Sequence, residues 1–246
     1  MESSDGKVAI VTGASRGIGA AIAERLAKDG FRVVVNYVAN AAPAEALVAQ
    51  IQKAGGRAIA VKADVSDPAA ARSLFDAAER EFDGVDVLVN NAGVMLVSPI
   101  AETDDATFDR QIAINLKGVF NTLREAAKRL RKGGRIINLS SSVVGLLLPT
   151  YATYAATKSA VETMTRILSK EMRGRQVTVN AIAPGPTGTE LFFKGKPQEV
   201  VDQLAHMAPL ERLGTPTDAA AAVSFLAGPD GAWVNGQVLR VNGGII

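Results

Sequence analysis

The chain has 246 residues, 48% of them apolar, enough for one substantial core and within the reach of a single α/β domain. It has no cysteine and one histidine. Disulfides, thiolate catalysis and a Cys-based zinc site are therefore excluded, and no metal site is expected. A Ser-His-Asp triad would rest on His206, which stands between Ala205 and Met207 and near no other catalytic candidate, and so reads as structural. Lys and Arg number 27 against 25 Asp and Glu, and the one basic knot, Lys128, Arg129, Arg131 and Lys132, reads as a solvated helix end. A nucleic-acid partner is not expected.

Val8 to Thr12 reads as a buried strand, followed by a helix over 17–29 that Gly30 stops. A second strand spans 31–36 and a second helix 41–54, ended by Gly55-Gly56. A third strand covers 57–63, and Pro68 suits the start of a helix over 68–82. The fourth strand is 86–90, and one long helical region follows over 104–131. A strand at 134–139, a helix at 151–173 and a strand at 176–182 come next. A helix at 217–227 and a strand at 237–241 complete the chain.

This alternation predicts a Rossmann-type, doubly wound, mostly parallel sheet of about seven strands with helices on both faces. The strands are apolar throughout, as two covered faces require. No linker or repeat divides the chain, so 1–246 reads as a single domain. Residues 184–216 are the one irregular stretch, rich in Pro and Gly, and 186–212 within it is a candidate substrate lid. The polar start, Met1 to Lys7, shows no signal peptide, and no membrane span is visible. The expectation is a cytoplasmic protein.

Thr12-Gly13-Ala14-Ser15-Arg16-Gly17-Ile18-Gly19 joins the first strand to the first helix. Glycines there let the backbone turn and approach a pyrophosphate, and the helix start offers free N–H groups. The position makes this GxxxGxG far more specific than the bare pattern. NAD-binding folds place an acid at the end of the second strand. Here Asn36 stands there, and an amide does not repel a 2′-phosphate. With Arg16 able to pair that phosphate, the expected cofactor is NADP(H). Asp64-Val65 follows the third strand, where an adenine edge can be met.

Of three tyrosines, Tyr154 alone has a lysine four residues on, Lys158, so both lie on one helix face. A nearby ammonium stabilises a phenolate, and such a tyrosine serves as general acid or base. Ser140-Ser141-Ser142 follows the fifth strand, and Asn90-Asn91-Ala92-Gly93 ends the fourth, both on the crevice side. Asn115 sits within the apolar Ile112–Leu116, where its amide must be satisfied. By itself that residue reads as structural.

Together these motifs closely resemble the short-chain dehydrogenase/reductase family over about residues 7–244. The branch they resemble is the 3-oxoacyl-carrier-protein reductase-like one. The resemblance implies a catalytic tetrad of Asn115, Ser141, Tyr154 and Lys158, with Lys158 also binding the nicotinamide ribose and Asn115 holding a water. It implies cofactor contacts from Gly13, Ser15, Arg16, Gly17, Ile18 and Gly19, then Asn36, Asp64 and Val65. Further contacts would come from Asn91, Ala92 and Gly93, from Tyr154 and Lys158, and from Pro184, Gly185, Thr187 and Thr189, the last at the carboxamide. Thirteen residues back from Tyr154 and seven on from Gly134 both give Ser141 as the catalytic serine. Aligning Ser142 to Gly145 gives Ser142 instead.

The implied reaction is NADPH-dependent reduction of a ketone or aldehyde, a 3-oxoacyl thioester included. The alternatives are an NAD-linked alcohol or sugar dehydrogenase and a non-catalytic NADP-binding regulator. The intact tetrad argues against the regulator. Walls near 94–97, 143–151 and 186–207 are largely apolar and suggest a hydrophobic small-molecule substrate. A homo-oligomer, a tetramer in many relatives, is implied through the 104–131 helix, the Tyr–Lys helix and the last strand.

Overall fold

The computed structural model describes residues 6–193 and 197–246. Part of the candidate lid, 194–196, lies outside the described residues, as does the side chain of Leu191. The strands are β1 Val8–Val11, β2 Arg32–Tyr37, β3 Arg57–Lys62, β4 Val87–Asn90, β5 Arg135–Leu139, β6 Thr178–Pro184 and β7 Val238–Val241. All pair in parallel, in the order β3-β2-β1-β4-β5-β6-β7. The doubly wound sheet is therefore as expected.

Helices α1 Gly17–Lys28, α2 Ala41–Lys53 and α3 Pro68–Phe82 fill the first three crossovers. Asp67 caps α3 by accepting the Ala69 N–H, with Pro68 in the first turn. Strand side chains alternate between two cores. Ala9 and Val11 pack with Ile22 and Leu26 of α1 on one face. Val8 and Ile10 pack with Leu74 and Phe75 of α3 on the other.

The expected single helix over 104–131 is three pieces: α4 Asp105–Gln111, a π-helical segment Ile112–Gly118, and α5 Val119–Arg129. The wider turn carries Asn115 at its centre, with the side chain fully buried. Amphipathic periodicity does not register such a turn, because its apolar residues still recur at helical spacing. The basic knot is also more than a solvated helix end. Arg129 pairs with Asp76 at 2.6 Å and Glu79 at 2.5 Å and lies over the Phe75 ring.

Further along, α6 Val143–Leu146 precedes α7 Ala152–Glu171, and α10 Pro216–Ala227 returns to the sheet. The stretch 184–216 is not irregular throughout. It contains α8 Glu190–Phe193 and α9 Gln198–His206. It leaves and rejoins the body at one place, where Gly188 N donates to the Gly214 carbonyl at 2.8 Å and Gly214 N to the Pro186 carbonyl at 2.9 Å. Among the described residues no helix is long and apolar enough to cross a membrane.

Four buried polar side chains cross the sheet beneath α7. Thr122 Oγ1 lies 2.7 Å from Asn90 Oδ1, and the Asn90 amide donates to Asn138 Oδ1 at 2.9 Å. The Asn138 amide donates to Thr165 Oγ1 at 2.9 Å. Each amide finds a partner, as burial demands, and the chain fixes α7 against β4 and β5.

Candidate active site

After β1 the chain turns outward through β2 and β3, and after β4 outward the other way. This divergence opens a crevice at the carboxyl ends of β1 and β4. The glycine loop and Asn90–Gly93 meet there. Thr12 Oγ1 accepts N–H bonds from Asn91 and Ala92, both at 3.0 Å. The Asn91 amide donates to the carbonyls of Thr12 and Gly13 at 2.9 and 3.0 Å. Two glycines make this packing feasible. Gly13 has φ +61°, and a Cβ on it would lie 2.9 Å from Ala92 Cα. A Cβ on Gly19 would lie 2.6 Å from the Gly13 carbonyl oxygen.

The start of α1 has no side-chain cap and no acid in its first turn, and Arg16 is exposed at the capping position. Uncapped N–H groups at a bare helix start suit a pyrophosphate. Gly17 and Ile18 belong to that first turn, with Ser15 just before it. The donor set fits a dinucleotide.

The direct role expected of Asn36 is corrected. Asn36 is fully buried. Its Oδ1 accepts the Gly13 N–H at 3.1 Å, and its amide faces the carbonyls of Ala63, Val61 and Tyr37 at 2.9, 3.3 and 3.3 Å. Asn36 thus ties the glycine loop to the ends of β2 and β3 and does not face a ribose. A carboxylate there would meet three carbonyl oxygens. Position 36 shapes the loop, and the exposed groups after β2 are Val38 to Asn40.

Asp64 is exposed and its Oδ1 accepts from the Ser66 N–H and hydroxyl at 2.9 and 2.7 Å. Val65 is buried, and its carbonyl accepts from Asn121 at 2.9 Å. Pro184 O accepts the Ser142 N–H at 2.9 Å, and Gly185 N donates to Val241 O at 3.0 Å. The Thr187 hydroxyl donates to Gly185 O at 2.9 Å. Thr189 comes to the opposite rim, its methyl 3.6 Å from where a Gly17 Cβ would stand. The glycine loop and the base of the excursion therefore face each other across the crevice.

α7 delivers Tyr154 and Lys158 to the end of β5. Lys158 is buried, its Nζ donating to Leu139 O at 2.7 Å and lying 5.7 Å from the Tyr154 ring centroid. The Ser141 hydroxyl accepts the Val143 N–H at 3.3 Å and acts on the Tyr154 phenol, holding its rise in check. Burial raises the phenol above its ordinary 10.0, against the opposing pull of Ser141. The phenol is thus protonated at neutral pH. Ser142 turns away: its hydroxyl donates to Ala183 O at 3.1 Å and accepts from Asn242 at 3.0 Å. Asn115 grips Val94, accepting its N–H and donating to its carbonyl, both at 2.8 Å. His206, by contrast, is exposed on α9, with Nδ1 2.7 Å from Asp202 O.

Gln111 and Asn242 belong to none of the motifs read from the sequence. Gln111 had a usable signal, since it lies four residues before Asn115, a second amide on the same helix face.

Desolvation lowers Lys158 from 10.5 to about 8. A lysine whose folded value is depressed costs stability. The cost is fully present below pH 8 and vanishes as the pH rises to 10.5. The gap of 10.5 less about 8 corresponds to about 3 kcal/mol. In cofactor-free protein, Lys158→Met is therefore expected to raise the urea midpoint at pH 7. The gain is at most about 3 kcal/mol, reduced by the lost Leu139 bond, and shrinks toward pH 10. A midpoint that falls at pH 7 contradicts the burial argument.

A parallel sheet with a phosphate-type loop at its switch point and a Ser–Tyr–Lys cluster beside it defines a nicotinamide-type oxidoreductase. The family model described as Enoyl-(Acyl carrier protein) reductase matches residues 13–246. A short-chain type dehydrogenase/reductase of Picea abies is 49% identical, over 97% of this chain and 92% of its own. An Arabidopsis thaliana protein named NADPH-dependent aldehyde reductase-like, chloroplastic, is 48% identical over 98% and 94%. A short chain dehydrogenase from Burkholderia cenocepacia J2315, solved in complex with NADP, superposes with a TM-score of 0.94 at 36% identity, covering 99% of both chains. The chain belongs to the short-chain dehydrogenase/reductase family.

Proposed function

We propose that this oxidoreductase uses NADPH to reduce a ketone or aldehyde, 3-oxoacyl thioesters included, to an alcohol. The observation that carries the reading is the grouping at the end of β5, where Lys158 Nζ donates to Leu139 O and lies 5.7 Å from the Tyr154 ring centroid, with Ser141 acting on the Tyr154 phenol. NADP(H) is the cofactor. The Arabidopsis relative is named for NADPH and the Burkholderia structure holds NADP. Within this chain, no carboxylate stands among residues 36–40 to repel a 2′-phosphate, and Arg16 is exposed beside the loop.

The bound cofactor supplies the hydride. Tyr154 donates the proton to the carbonyl oxygen, Ser141 hydrogen-bonds that oxygen, and the Lys158 ammonium stabilises the phenolate left behind. Asn115 holds the chain at Val94, next to Lys158. Residues 186–212 act as the lid. A homo-oligomer, a tetramer by family resemblance, accounts for the exposed Phe108 on α4, Phe120 on α5 and Ile167 on α7. It also accounts for Trp233, 99% exposed near the open edge strand β7.

The test is loss of NADPH absorbance with a panel of ketones, aldehydes and 3-oxoacyl thioesters. NADPH is expected to exceed NADH in kcat/KM. Arg16→Ala should shrink that ratio roughly 10–100-fold, the equivalent of one charge-assisted hydrogen bond. A wild type preferring NADH, or turning over none of the panel, overturns the reading.

A further inference from the structure

Past Gly93 the chain runs extended along the crevice. Gly93, Met95 and Val97 are exposed, whereas Val94, Leu96 and Ser98 are half-buried. The bonded N–H groups follow the same alternation. Val94 donates to Asn115 Oδ1 at 2.8 Å, Leu96 to Gln111 Oε1 at 3.1 Å, and Ser98 to Thr150 O at 3.0 Å. Beyond the end of β4, side-chain amides of α4 and the π-helical segment thus replace a neighbouring strand.

Gln111 is fully buried, and its Nε2 has no partner among the described residues. Among the described residues, the one hydrogen bond its side chain makes is that to Leu96. An unpaired buried donor is a cost that a Met at this position would not carry, so that bond needs an account. The row begins at the catalytic lysine, since a Cβ on Gly93 would lie 3.7 Å from Lys158 Nζ. At about 3.3 Å per residue, Met95 and Val97 lie ~7 and ~13 Å beyond Gly93. A cavity of about 390 Å³ runs along Met95 to Ser98, with Glu102, Thr103, Asp104 and Thr107 across from them, a size usual for small-molecule sites.

We propose that Gln111 sets the substrate register of this enzyme. Its bond to Leu96 holds Met95 and Val97 toward the substrate, and a one-residue slip would present Leu96 instead. The substrate class is a carbonyl compound whose apolar group lies along Met95 and Val97, which stand ~7 and ~13 Å beyond Gly93. This rests on the carbonyl-reductase reading above. Gln111 is a positioning residue, and Met95 and Val97 determine specificity.

The experiment measures kcat/KM with NADPH for straight-chain aldehydes from propanal to dodecanal, with NADPH fluorescence titration as the check on folding. In wild type, kcat/KM is expected to rise about fourfold per methylene once the chain reaches Met95, the equivalent of ~0.8 kcal/mol per buried CH₂. Gln111→Met should lower the dodecanal-to-propanal ratio at least tenfold, through KM rather than kcat. Gln111→Glu, which keeps an acceptor oxygen toward Leu96, should restore part of it. Met95→Ala and Val97→Ala should each lower the ratio. A Gln111→Met protein that binds NADPH and keeps the wild-type ratio overturns the proposal. If Gln111→Met does not bind NADPH, unchanged ratios in both alanine variants overturn it. Turnover with no length dependence sinks this inference alone, and no turnover of any carbonyl compound sinks the functional reading with it.

Discussion

Tyr154→Phe is expected to lower kcat by roughly 10²–10⁴-fold while NADPH still binds. Phe keeps the ring beneath which Lys158 Nζ lies, so packing at the end of α7 is preserved. What it removes is the phenol hydroxyl on which Ser141 acts. Burial keeps that phenol protonated at neutral pH, the state a proton donor to a nascent alkoxide needs. Donation leaves a phenolate in a poorly solvated place, where the neighbouring ammonium offsets the burial cost. Steady-state kinetics together with NADPH fluorescence titration check this. Activity within a few-fold of wild type would remove Tyr154 from the proton path.

The second large effect separates two adjacent serines. Ser141→Ala should cost on the order of 10²–10³ in kcat, about 3–4 kcal/mol, the usual loss for one donor to a developing oxyanion. Ser142→Ala should act elsewhere. Its hydroxyl joins Ala183 O to the Asn242 amide, so its loss loosens the contact between the serine loop, β6 and the last turn. The expected signature is a lower thermal midpoint with a smaller fall in kcat. If Ser142→Ala is the worse catalyst, the register of the serine loop is off by one.

The serine question shows where sequence reasoning stopped. Spacing from Tyr154 and from Gly134 favoured Ser141, and alignment on Gly145 favoured Ser142. The counts diverge because the extra serine lies between a strand end and a short helix, where chain counting does not say which hydroxyl turns inward. The backbone of Ser142 is held to Pro184 O at 2.9 Å, which points its side chain at β6 and leaves Ser141 toward Tyr154. Asn36 failed in another way. Its place at the end of β2 was read correctly, but its direction depends on Gly13 and Ala63, which come from two other crossovers.

The sequence by itself determined the strand–helix alternation, the parallel sheet, the glycine loop opening α1 and the Tyr154–Lys158 pairing on one helix face. These follow from periodicities and spacings of a few residues, which local geometry converts directly into structure. Only the tertiary structure decided which side chains face the crevice. The wide turn at Asn115, the buried ladder from Asn90 to Thr165, the inward turn of Asn36 and the grip of Gln111 on Leu96 each join residues from separate elements. Buried amides take the direction of whatever partner folding brings within about 3 Å, and no local pattern encodes that partner.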